Sequence, residues 1–145
     1  MNTPSIIIHD SRHAAMTLEA ADAAGTAVVL LSPPGAGAAL GPGVFKALAD
    51  TAMTHHPGVT ATAILDCGDE AGVALAAIRH GCTDIAVDLP GETLAKIEDL
   101  AARAGTKVHP GGRAKGKPGA PLDLAREAQP ETAARAYLDT RSGHE

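Results

Sequence analysis

The sequence predicts an α/β fold with a parallel sheet, on three observations. Short runs rich in Val, Ile and Leu alternate with alanine-rich stretches that carry the helical period. A glycine closes most of the helical stretches, at Gly25, Gly81 and Gly105. Aromatic residues are nearly absent, with Phe45 and Tyr137 but no Trp. The core must then be built from Ala, Val, Ile and Leu, which suits thin helices packed closely on strands.

Ser5–His9 is a β-branched run of the kind found in buried parallel strands. Asp10 or Ser11 can cap the next helix, which runs through Met16, Leu18, Ala21 and Ala24 to Gly25. Ala27–Ser32 reads as a second strand, and Pro33–Gly43 as a long flexible loop. A helix around Val44–Thr54 carries Phe45, Leu48, Ala49 and Ala52 on one face. Val59–Leu65 is the third strand, Asp69–His80 the third helix and Asp84–Leu89 the fourth strand. Pro90 and Gly91 turn into a fourth helix, Glu92–Ala104, with Leu94, Ile97, Leu100 and Ala101 at helical spacing. Lys107–His109 is a short fifth strand. About five βα units suit either a partial (half) TIM-like barrel or an open flavodoxin-like sheet, because both repeat the same local unit.

The first 109 residues read as one α/β domain. Pro110–Pro121 is rich in Gly, Pro and positive charge, so residues 110–130 read as a linker or mobile loop. Residues 131–145 hold a short helix, Glu131–Leu138, and a tail. That helix is too short to stand alone and must dock on something.

Composition excludes several functions. Twelve Lys and Arg against seventeen Asp and Glu give a net charge of −5, which argues against a nucleic-acid partner or an anionic membrane surface. No apolar run approaches the roughly 20 residues of a membrane helix, and the N-terminus lacks a signal-peptide pattern. Two cysteines, Cys67 and Cys82, read as reduced thiols in a cytoplasmic protein.

Polar residues that directly follow the apolar runs should share one edge of a parallel sheet. They are His9-Asp10-Ser11, Ser32, Asp66-Cys67, Asp88 and His109. Carboxylates, imidazoles and a thiol are acid–base and metal-ligand types. Asp10, Ser11 and Asp69 are explained by helix capping. Asp69 and Glu70 supply the cap after the third strand, which leaves Asp66 without a local task. His55-His56 complement a helix C-terminus, and Cys82 reads as a small buried residue.

The order of motifs resembles the class II, metal-dependent fructose- and tagatose-bisphosphate aldolases. The resemblance rests on Leu65-Asp66-Cys67-Gly68, Asp69-Glu70, Ala77-Ile78-Arg79-His80-Gly81 and Asp84-Ile85-Ala86-Val87-Asp88. Gln129-Pro130-Glu131-Thr132-Ala133-Ala134 and Thr140-Arg141-Ser142-Gly143 are similar to later family motifs. It implies the N-terminal half of a metal-dependent barrel, with Asp66 in proton transfer and Cys67 where the family has a metal-binding histidine. The chain has no length for the family's later metal histidines and phosphate loops, and His109-Pro110-Gly111-Gly112 stands where a glutamate motif belongs.

The resulting expectation is an aldolase-like domain that has lost catalysis and acts through self-association or small-ligand or protein binding. No cofactor is expected. A homo-oligomer is, together with a small phosphorylated or carbonyl ligand near Ser32 and Asp88. The alternative is a divalent-metal-dependent lyase, acting by aldol cleavage or proton abstraction next to a carbonyl. Its catalytic acid–base would be Asp66, and Cys67, His9 and His109 would hold a metal such as zinc in a site completed across a subunit interface.

Overall fold

The computed structural model describes residues 3–110 and 121–142. The elements are β1 (Ser5–Ile7), α1 (Ser11–Ala24), β2 (Val28–Leu31), α2 (Ala36–Ala39) and α3 (Pro42–His55). They continue with β3 (Ala61–Gly68), α4 (Ala71–Arg79), β4 (Asp84–Val87), α5 (Gly91–Ala104) and β5 (Lys107–Pro110). Last come β6 (Leu122–Asp123), a 3-10 turn (Leu124–Arg126) and α6 (Pro130–Ser142). The sheet is six-stranded, in the order β5-β4-β3-β2-β1-β6. The ladders of β1 with β2 and β6, and of β4 with β3 and β5, are parallel. This is the α/β fold with a parallel sheet that the alternation predicts. β1 to β5 follow chain order, and the final strand is added beyond β1. Among the described residues no helix is long and apolar enough to cross a membrane.

The chain forms two compact units. The first comprises described residues 3–31, 48–62 and 121–142. Here β1 lies between β2 and β6, with Ile7 opposite Leu31 on one side and Asp123 on the other. Asp10 caps α1 by accepting the His13 N–H at 2.8 Å, as its position before the helix predicts. The helix stops at Gly25, whose left-handed backbone (φ 66°) lets its N–H reach the Ala21 and Asp22 carbonyls. Ala14, Leu18 and Ala21, at helical spacing, are buried. α6 packs along α1 and buries Ala134 and Leu138. Burying a leucine stabilises by roughly 1.5–3 kcal/mol, which is what this short helix needs in order to form.

The second unit comprises described residues 32–47 and 63–110. Ile85, Ala86 and Val87 are inaccessible on both faces of β4, as a parallel strand between two others should be. α4 and α5 pack together, and Ala74, Ala77, Ile97 and Ala101 are buried. The small alanines answer the shortage of aromatic side chains.

Four features differ from the sequence expectation. The loop expected over Pro33–Gly43 contains α2 and the start of α3, because the Ala-rich stretch favours a helical turn and Pro42 is well suited to a first helical position. β3 runs three residues past Leu65, since β4 continues to pair with it as far as Gly68 through an irregularity between Asp66 and Gly68. β6 forms inside the stretch expected to be linker, where two residues complete a ladder with Ile6 and Ile7. α6 extends beyond Glu131–Leu138 at both ends. The Gly111–Ala120 part of the expected linker and the tail from Gly143 lie outside the described residues.

Candidate functional site

At the carboxyl ends of β3 and β4, in the second unit, the structure brings together Ser32, Asp66, Cys67 and Asp88. Ser32 Oγ accepts the Asp66 N–H at 2.8 Å and donates to the Pro33 carbonyl at 3.2 Å, so this buried hydroxyl ties the loop after β2 to β3. Asp66 is 8% exposed. Its Oδ1 accepts the N–H of Gly68 at 2.8 Å, closing a short turn. That corrects the expectation that Asp66 has no local task. Asp66, rather than Glu70, makes the side-chain bond of this corner, for Glu70 caps α4 with no side-chain hydrogen bond. Burial pushes the Asp66 carboxyl above the usual carboxylate range, the Gly68 bond pulls it back, and the charge of Asp88 pushes it up again. Asp88 itself is exposed, and its N–H bonds the Gly68 carbonyl at 2.8 Å.

Cys67 is buried, with Sγ 3.8 Å from the Leu65 carbonyl. Burial, then Cys82 and Asp66, push its thiol up to about 12. A nucleophile must be a thiolate, and burial here favours the protonated thiol. Neither Cys67 nor Cys82 forms a disulfide. The main chain here is also tightly approached. A Cβ on Gly37 of α2 would fall 2.6 Å from Val73 Cγ1 and 3.2 Å from the Asp66 carbonyl oxygen. The expected flexible glycine loop thus holds a glycine required by close packing on β3.

The two histidines expected at the rim each bond an aspartate of their own unit. His109 lies within β5, opposite Ala86, and its Nε2 is 3.0 Å from Oδ2 of Asp84, the first residue of β4. It therefore turns toward the amino end of its neighbour, away from Asp66 and Cys67. His9 belongs to the first unit, where its Nε2 lies 2.7 Å from Asp123 Oδ1. Among the described residues no group of three or more His, Cys, Asp and Glu could hold a metal ion. Cys67, His9 and His109 are therefore not among the described side chains that group as a ligand set for zinc.

Asp123, the residue that sequence reasoning missed, ends β6. It accepts the Ala125 N–H at 3.0 Å, and Arg126 Nε stands 3.7 Å from its other oxygen. His13, on the first turn of α1, accepts the His9 backbone N–H through Nδ1 at 3.1 Å. The two imidazole rings stand edge to face, 5.7 Å apart. The one signal in the sequence was the pair of histidines four residues apart across a helix start.

Comparison with known protein families and with curated proteins finds no match for the chain.

Proposed function

We propose that the chain is an aldolase-like α/β domain that does not cleave aldols and binds a small carbonyl or phosphorylated ligand at the carboxyl ends of β3 and β4. One observation carries this reading: the side chains that would do the chemistry there already hold the fold. Asp66 closes a turn, Ser32 latches the chain, Cys67 stays protonated, and His109 is held by Asp84. Such a rim keeps the concave end of parallel strands, where α/β folds take ligands, without a metal to polarise a ketone. The Asp66 carboxyl, which burial pushes above the usual carboxylate range, and exposed Asp88 are the groups that would meet the polar atoms of such a ligand. We further propose a cytoplasmic homo-oligomer. Two cysteines outside any disulfide support the compartment, and β5, last in strand order and paired on one side only among the described residues, supports assembly.

The test combines three measurements on the untagged chain. Titration with a triose phosphate should give saturable binding that Asp66→Ala abolishes, and the purified protein should carry substoichiometric metal and release no aldol-cleavage products. Stoichiometric zinc with measurable cleavage would replace this reading with the metal-dependent lyase. Light scattering at micromolar concentration should give at least a dimer, and a clean monomer would remove the assembly part.

A further inference from the structure

The rim of the first unit carries different chemistry, because the hydrogen-bond role of each imidazole is set by the group it faces. A carboxylate oxygen only accepts, so the 2.7 Å contact with Asp123 places a proton on His9 Nε2. In the neutral ring the lone pair then lies on Nδ1. His13 is arranged in the opposite sense. Its Nδ1 accepts the His9 backbone N–H at 3.1 Å, so the proton of its neutral ring lies on Nε2.

Neither His9 Nδ1 nor His13 Nε2 has a partner among the described residues. Neither is sealed away, because Thr17 Oγ1 is the one buried side-chain nitrogen or oxygen among those residues that lacks a hydrogen bond. An acceptor nitrogen and a donor nitrogen, neither of them fully buried, are therefore presented by two part-buried rings 5.7 Å apart. Their place in the fold adds to this. His9 follows β1 and His13 sits on the first turn of α1, so both lie at the carboxyl end of a parallel strand, the edge where α/β sheets take their ligands.

We propose that this rim is an acid–base site for a small carbonyl compound that carries a hydrogen on the neighbouring carbon. His9 Nδ1 is the base, His13 Nε2–H is the donor to the carbonyl oxygen, and Asp123 is the positioning residue. In the step, His9 Nδ1 takes a proton from the carbon beside the carbonyl. The C–H electron pair becomes the carbon–carbon double bond of an enolate, whose oxygen is held by His13. Asp123 faces the imidazolium that forms, and the same proton, or one from water, returns to carbon. No oxidant or other reactant is needed. The inference is independent of ligand binding beside Asp66, since none of its residues belongs to that rim.

The experiment uses the full chain, hydroxyacetone as probe and D2O as solvent, with carbon-bound hydrogen exchange followed by proton NMR. We expect wild-type exchange about a hundredfold or more above buffer, the lower end of what a placed base contributes. His9→Gln should return it to the buffer rate, and His13→Gln should weaken it. His55→Gln, at the far end of α3, should leave it unchanged. Nitrogen NMR of the rings supplies a readout that activity does not: His9 should carry its proton on Nε2. Asp123→Asn keeps Oδ1, which accepts from both His9 Nε2 and the Ala125 N–H, so the tautomer and the turn should stand while loss of the charge slows exchange. Wild-type exchange equal to buffer, His9→Gln equal to wild type, or a His9 proton on Nδ1 would each overturn the proposal.

Discussion

The two units end their strands in the same way and arrive at opposite chemistry. In the second, Asp66 and Cys67 turn inward, and the backbone and burial absorb them. In the first, His9 and His13 are each fixed through one ring nitrogen and leave the other unpaired among the described residues and not fully buried. The difference lies in where the polar side chain meets its partner. Asp66 finds its partner two residues away in its own turn, so it becomes part of the corner. His9 finds Asp123 on another strand, and that contact orients it while leaving half the ring open. A polar residue at a strand end is therefore structural or reactive according to which of its atoms the fold consumes.

The largest expected effect tests what holds the first rim in place. Leu138→Ala opens a cavity where α6 meets α1 and should cost about 3 kcal/mol in urea unfolding. Because α6 and the turn before it follow β6, the variant should also blur the single His9 tautomer. A large stability loss with the tautomer intact would show that the rim does not depend on the docking of α6.

The second rim should respond to added volume. Gly37→Ala forces a Cβ against Val73 and the Asp66 carbonyl and should cost about 2 kcal/mol. Much of that loss should be recovered in a Val73→Ala background. Absence of any recovery would place the strain at the Asp66 backbone instead.

The smallest effect concerns charge. The folded chain holds the Asp66 proton longer than the unfolded chain does, so stability falls as pH rises above the ordinary carboxylate value of 3.8. Asp66→Asn removes that loss and keeps an oxygen for the Gly68 N–H. The variant should match wild type in the acid range below that value and become the more stable of the two by neutral pH. If wild type instead gains on the variant as pH rises, a favourable partner of the Asp66 carboxylate outweighs its burial, and the inward-facing half of the comparison fails.

The parallel strands were legible because burial on both faces demands unbroken apolar runs, and Val28–Leu31 and Ile85–Val87 have them. The helix stops were legible because Gly25 and Gly105 occupy left-handed conformations that other residues avoid. β6 was not legible. Leu122-Asp123 carries no periodicity, and its pairing is decided by Ile6 and Ile7 at the other end of the chain. His9 was recognised by type, but its role was not, since no spacing rule connects it to Asp123. The turn at Asp66 did leave a signal, an aspartate two residues before a glycine, which the search for a catalytic acid obscured. His109 was placed on the rim because its strand run ends there, whereas Asp84 draws it the other way.

The His9–Asp123 contact closes a loop of 114 residues, and this has a temporal consequence. During synthesis the second unit has all its described residues once Pro110 has emerged, while the first still lacks β6 and α6. Contacts of such long sequence separation form late and slow folding. His9 stays an ordinary unoriented histidine until Asp123, 114 residues later, has been translated. The orientation of its ring thus waits on a segment made after all the described residues of the second unit.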